Sequence, residues 1–269
     1  MKPKLYVILG SHACRSGILL MEHKGIDYKL VTVPTVLHPL FVRLAGFSGK
    51  RTSYRKVGDR PTFATQLGDQ MGTVPSLEID GQRVRTNREI ARALDRIQPD
   101  PPLFPADPEQ RLAVEKAEKW GDEVFQMVAR RVTIAAGADD LARLVNHGDD
   151  GRLGTLLWHR RRAREIGGRL VARFFHAGGR AEQRLLAELP AQLDRIDAWI
   201  EEGVLNGEQL NAADYMIAPS LALLSYRLDL RDEIARRPAG RLIDRVLPEP
   251  GAGATSAAPG GTGRHSVVA

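Results

Sequence analysis

The chain has one cysteine, Cys14, in 269 residues. That excludes an internal disulfide and a multi-cysteine metal centre, and it fits a reducing compartment. No run approaches the roughly 20 apolar residues that a bilayer-crossing helix needs, so no membrane span is expected. The apolar stretch after Met1-Lys2-Pro3-Lys4 is too short for a secretory leader and has no small-residue cleavage site, so a cytoplasmic location is expected. A phosphate loop is absent: Gly49-Lys50 would require a glycine five positions before Gly49, and Leu44 stands there. The formal net charge is +6. The basic run Trp158-His159-Arg160-Arg161-Arg162-Ala163-Arg164 comes with no zinc-finger or aromatic RNA-binding pattern. It reads as a solvated helix face, and no nucleic-acid partner is expected.

Hydrophobic residues make up 43% of the chain and charged residues 27%, an ordinary balance for a globular protein. Residues 3–9 read as a buried strand, residues 14–24 as a helix ended at Gly25, and Tyr28-Lys29-Leu30-Val31-Thr32-Val33 as a second strand. Together they form a compact βαβ unit with a parallel pair. Leu77-Glu78-Ile79 and Gln82-Arg83-Val84 flank Asp80-Gly81, a strong hairpin signal. Asn87 is read as the cap of the helix that follows, with Ile90, Ala91 and Leu94 on its apolar face. A helix is expected near 38–46 within the long connection 34–72, with a lid or partner-contacting segment after it. Prolines 99, 101, 102, 105 and 108 mark a linker. Beyond it helices are expected over 108–136, 138–147, 152–177, 181–202 and 212–230, followed by a disordered Gly/Ala/Pro-rich tail from 248 to 269. The fold class is therefore α/β followed by all-α, with domains over 1–97 and 104–247.

Two local features carry most of the chemistry. Val74-Pro75 opens the third strand. Proline has no N–H for the ladder, so it is confined to an edge, a bulge or a strand start, and the bond before it is the one place where a cis peptide is cheap. A cis bond there would offer the Val74 backbone to an extended, peptide-like ligand. The second feature is Asn211-x-x-Asp214, a capping box before a helix from Tyr215 to Leu224 that is apolar almost all round and therefore central. Asp214 is read as structural rather than catalytic.

The order β-α-β, β-β-α with proline at the third strand, then a helical half, resembles the glutathione transferase superfamily. The residues that carry the resemblance are Ser11-His12-Ala13-Cys14, Val74-Pro75, Asp80-Gly81 leading to Thr86-Asn87, and Gly207-x-x-Leu210-Asn211-x-x-Asp214. It implies a thioredoxin-like N-terminal domain and a helical-bundle C-terminal domain. It also implies glutathione as co-substrate, no metal, a small hydrophobic electrophile as second substrate, and a homodimer. Ser11 would hold the thiolate, Val74 and Pro75 the ligand backbone, and Thr86 and Asn87 its γ-glutamyl carboxylate. Thr86 stands where the family usually has an acidic residue. The acceptor site is expected between the domains, lined by the helix 108–131 (Trp120, Phe125, Met127) and the lid; the same aromatic and Met spacing also reads as core, and the sequence does not separate the two. Two alternatives remain open on sequence: a reductase or lyase working through Cys14, and a non-catalytic binding protein with the same fold.

Overall fold

The computed structural model describes residues 2–34, 37–47, 73–139, 143–144, 152–153, 172, 175 and 177–248. The expected segment after residue 47 in the long connection, the basic run 158–164, the greater part of the helices expected at 138–147 and 152–177, and the tail beyond 248 lie outside the described residues.

Strand β1 (Lys4–Val7) pairs in parallel with β2 (Lys29–Thr32) and antiparallel with β3 (Ser76–Ile79), which pairs antiparallel with β4 (Gln82–Arg85). The sheet order is β2-β1-β3-β4. Leu5, Val7, Leu77 and Ile79 point to one face and are buried there, as the two-residue period of a half-buried strand requires. Asp80 (φ 48°) and Gly81 (φ 75°) both lie in the left-handed region, which matches the right-handed twist of the flanking strands in a two-residue hairpin. Pro75 stands just before the last β1–β3 pair, Tyr6 with Ser76, where the ladder asks for no further N–H.

Helix α1 (His12–His23) crosses from β1 to β2 and ends at Gly25 (φ 60°). Helix α2 (His38–Leu44) lies within the expected 38–46. Helix α3 (Asn87–Ile97) follows the hairpin, but its cap is Thr86 rather than Asn87: the Thr86 hydroxyl accepts from Glu89 N at 3.3 Å. Asn87 is the first helical residue, and its side chain is engaged elsewhere.

The helical half starts with α4 (Pro108–Trp120), capped by Asp107. The single helix expected over 108–136 is interrupted by a π-helical turn, Gly121–Phe125, before α5 (Gln126–Asp139). A Cβ on Gly121 would stand 2.9 Å from Ile217 Cγ1 and 3.0 Å from Met216 Cγ, so close contact with the central helix holds the chain here. An extra residue in one turn leaves the apolar pattern on either side intact, which is why the period did not reveal it. Helices α6 (Gly179–Glu201), α7 (Ala212–Leu224), α8 (Leu228–Arg236) and α9 (Pro238–Val246) complete the described structure. The helix expected over 212–230 is two, α7 and α8.

Every residue of α7 is buried, so its first turn cannot use water to satisfy its N–H groups. The capping box does so instead. Asn211 Oδ1 accepts from Ala213 N at 2.9 Å, and Asp214 Oδ2 accepts from Asn211 N at 2.8 Å. Asp214 Oδ1 also accepts from Asn206 N at 2.7 Å, which ties the preceding loop to the helix. Burial pushes the Asp214 carboxyl up to about 6, against the pull of those two N–H donors. Among the described residues no helix is long and apolar enough to cross a membrane. We expect Asp214→Ala to lower unfolding stability by about 2 kcal/mol, since both amides lose their acceptor together. Chemical denaturation of wild type and variant measures this, and equal midpoints would refute the capping role.

Candidate active site

Three chain segments meet at the N-terminal half of α1. The first is α1 itself. Ser11 is its cap, with Oγ accepting from Cys14 N at 3.4 Å, and the residue is half-buried rather than sealed in. The second is the entry to β3, where the Val74–Pro75 bond is cis. Ser76 Oγ donates to Thr73 O at 2.6 Å and holds the turn in front of the strand. The third is the first turn of α3, where Asn87 Nδ2 donates to Ala13 O at 2.8 Å.

Gly17 lets these segments come together. A Cβ there would lie 3.1 Å from Pro75 Cβ and 3.2 Å from both Pro75 Cγ and Asn87 Oδ1. Ala13 and Gly17 are one turn apart on the same face of α1, so one stripe of that helix meets both the proline and the asparagine. Sequence reasoning did not single out Gly17; a glycine inside a helical pattern was the available signal.

The predicted site residues thus fall into two groups. Ser11, Val74 and Thr86 are half-buried, while Pro75, Cys14 and Asn87 are buried. The Asn87 side chain, 2% exposed, turns inward to α1. Its amide is thereby spent on the Ala13 carbonyl. Thr86 has φ 65° and ψ 144°, a conformation costly for a β-branched residue, by about 1–3 kcal/mol. Its hydroxyl cap on α3 helps hold it there.

Cys14 is 1% exposed, and its Sγ accepts from Ile8 N at 3.3 Å. Burial pushes its thiol up, against that hydrogen bond, the Ser11 contact and the charge of Arg130. These are the properties of a packed thiol rather than a nucleophile. The charge of Arg130 also reaches His12. Its guanidinium lies 5.4 Å from the Phe175 ring centroid.

His12 is buried and joins the two halves of the molecule: its Nε2 meets Gln126 O at 3.2 Å, where the π-helical turn passes into α5. A carbonyl partner makes that nitrogen the N–H donor. Burial first, then Arg130, hold its pKa well below the usual imidazole range. Above the site, Glu118 is fully buried between Arg92 (2.9 Å) and Arg88 (3.4 Å), linking α4 to the first turns of α3. Trp120 stacks on Phe125 at 5.1 Å. Phe125 and Met127 are 0% and 3% exposed, so of the two readings, pocket lining and core, they take the core. Among the described residues no group of three or more His, Cys, Asp or Glu side chains is placed to hold a metal ion.

A four-stranded mixed sheet followed by a helical half is the arrangement of many solved structures. One is a glutathione S-transferase-like protein from Pseudomonas syringae, with TM-score 0.56 and 17% identity, covering 91% of this chain and 66% of that one. The chain has the glutathione transferase fold. A glutathione S-transferase from Methylobacterium radiotolerans, in complex with glutathione sulfonate, aligns with TM-score 0.52 and 20% identity over 91% of this chain and 90% of its own. Another, from Ceriporiopsis subvermispora in complex with glutathione, gives 0.55 and 17% over 91% and 98%. At these identities the likeness is one of fold. No protein-family model and no curated protein sequence matches the chain.

Two predictions follow from the packing around α1. Gly17→Val is expected to lower stability by about 1–3 kcal/mol, because its branches press on Pro75 and Asn87; a thermal melt reads the loss. The second concerns His12. The unfolded imidazole titrates near 6.5 and the folded one lower, so the unfolded chain binds more protons as pH falls below 6.5. His12 therefore subtracts stability on acidification, at up to about 1.4 kcal/mol per pH unit. His23 is lowered too, but it is common to wild type and His12→Gln and cancels in their difference. The wild-type advantage over His12→Gln, measured by denaturation at pH 7.5 and 5.5, should shrink at the lower pH. A constant difference would show that His12 is not held neutral.

Proposed function

We propose that the protein is an enzyme of glutathione transferase type, binding a small thiol, glutathione in the first instance, and adding it to a hydrophobic electrophile. The observation that carries this reading is Ser11: a half-buried hydroxyl at the cap of α1, with its oxygen turned toward Cys14 N and its own proton still to give.

Only the thiolate attacks effectively, and a free thiol with a pKa of about 8.5 is mostly protonated at neutral pH. Two things at this place favour the anion. The Ser11 hydroxyl donates to sulfur, and the N-terminal end of α1 supplies a partial positive charge. The Val74 backbone beside Pro75 is suited to pair with the cysteinyl residue of a peptide-like thiol. The first turn of α3 suits its carboxylate through backbone N–H groups; with the Asn87 side chain turned away, that contact rests on the main chain and on Thr86. The thiol proton passes to solvent and the thiolate forms the carbon–sulfur bond. In a substitution the carbon–leaving-group bond breaks and the group departs to solvent, and in an addition the adduct carbanion takes a proton from solvent. A cytoplasmic, homodimeric enzyme is the setting this reading carries with it.

The alternative that uses Cys14 needs an accessible thiolate, and burial works against both conditions. The test is conjugation of glutathione to a panel of electrophiles, with thermal shift by glutathione alone, on wild type, Ser11→Ala and Cys14→Ala. Ser11→Ala is expected to lose about 100-fold in kcat/KM, as removal of a single anion-stabilising donor does elsewhere. Its pH–rate profile should move to higher pH. Cys14→Ala should keep its turnover and lose only stability, by about 1 kcal/mol. Activity that survives Ser11→Ala and disappears in Cys14→Ala would move the chemistry to the cysteine. No thermal shift with glutathione and no turnover would remove the enzymatic reading.

A further inference from the structure

Half of the exposed large apolar side chains among the described residues belong to α2 and its cap. Leu37, Leu40, Phe41 and Leu44 are between 45% and 77% exposed, whereas the other four, Leu9, Ile97, Leu112 and Leu228, stand on four separate segments. Positions 37, 40, 41 and 44 follow the helical repeat, so the four side chains form one stripe. The opposite side of α2 is spent on the sheet. Val42 and Phe47 are buried, Phe47 meets the Tyr6 ring edge-on at 5.4 Å, and Arg83 Nε donates to Ala45 O at 2.9 Å. Tyr6 alternates with Leu5 and Val7, so α2 covers the sheet face away from those two. The outer stripe takes no part in that packing, and a contiguous apolar patch left in water marks a contact surface.

Charge says what kind of surface it meets. Residues 28–58 hold six Lys and Arg and no Asp or Glu, while the whole chain has a formal net charge of +6. The excess charge of the protein is thus concentrated in the stretch of sequence that contains α2. Arg43 stands beside the stripe on α2 itself, exposed and with no ion-pair partner among the described residues. Four side chains exposed to this degree offer roughly 400 Å², about half of what one partner buries in a standard protein interface. A second copy would also bring a like charge against the first. An anionic lipid surface asks for neither a large area nor a matching shape. Apolar side chains sink into the headgroup boundary, and nearby cations are drawn to the anionic headgroups.

We propose that α2 is a membrane-surface contact, with Leu37, Leu40, Phe41 and Leu44 entering the headgroup region of an anionic bilayer. Arg43 stands at the edge of the contact, and the excess positive charge of this part of the chain draws it there. Such a contact lies on the bilayer and requires no crossing helix. It does not rest on Ser11 or on the thiol chemistry.

The test is co-sedimentation of the full chain with vesicles of phosphatidylcholine, and with vesicles that mix phosphatidylcholine and phosphatidylglycerol. Binding is expected on the mixed vesicles. It should be weaker by about tenfold or more on phosphatidylcholine alone, and it should fall as salt is added. Leu40→Ser/Leu44→Ser, at exposed positions, should weaken it by about tenfold or more at unchanged melting temperature. Arg43→Gln should weaken it by roughly fivefold. Leu228→Ser, which removes an exposed leucine elsewhere, should bind as wild type does. No binding to the mixed vesicles, equal binding to both kinds, or a loss as large in Leu228→Ser as in the α2 variants would each overturn the proposal. So would self-association without lipid, read by sedimentation velocity, that Leu40→Ser/Leu44→Ser abolishes, because that result assigns the stripe to a second copy of the chain.

Discussion

The structure turns on how closely α1 lies against the two segments that face its N-terminal half. The Asn87 amide on the Ala13 carbonyl, together with Gly17 under Pro75 and Asn87, fixes the helix relative to both the β3 entry and the start of α3. None of these residues offers a reactive group. Their effect is positional: any ligand that spans from the cap of α1 to the first turn of α3 finds its anchor points at set separations. Preorganisation of that sort removes an ordering cost from binding.

The other end of α1 carries the second constraint. Lys24 is fully buried, and its ammonium is met by Asp95 at 2.7 Å and by the carbonyls of Pro99 and Pro101. A buried charge survives only when it is paired and its remaining donors are filled, and here all three are. Beside it, His23 Nδ1 meets the Tyr215 hydroxyl at 2.9 Å and Nε2 meets Pro102 O at 3.4 Å. The linker is therefore held by the last turn of α1, and α7 by the residue before the lysine. His12 makes the corresponding contact at the first turn, through Gln126. One helix of 12 residues thus connects the sheet to the helical half at both of its ends.

What could be read from the sequence was local, and what could not was relational. Asp80-Gly81 required left-handed φ at both positions, and the backbone has them. Asn211-x-x-Asp214 announced its own hydrogen bonds, because both partners lie within one turn. Asn87 misled for the same reason in reverse. It is a good capping residue, but a carbonyl 74 positions away took its side chain, and Thr86 capped the helix from a strained backbone. Phe125 and Met127 suit a pocket or a core equally by chemistry, and only tertiary packing, which seals them in the core, decides. The π-helical turn left no mark on the apolar period.

The pair Ser11-x-x-Cys14 shows how burial can reverse intrinsic reactivity. A thiol is far more acidic than a serine hydroxyl, so by side-chain chemistry alone Cys14 is the stronger candidate for an anion. Both residues stand at the same helix end. Yet Cys14 is 1% exposed and spends its sulfur lone pair on Ile8 N, a bond that helps close the turn between β1 and α1. Ser11, one turn nearer the end, keeps contact with solvent and needs no ionisation to act. It has only to donate a proton toward a sulfur that arrives from outside. The positive field at this helix end is then available to the incoming thiolate instead of to the resident one. That division of labour is what the proposed function asks of the pair: Ser11 for an exogenous thiol, Cys14 for the packing.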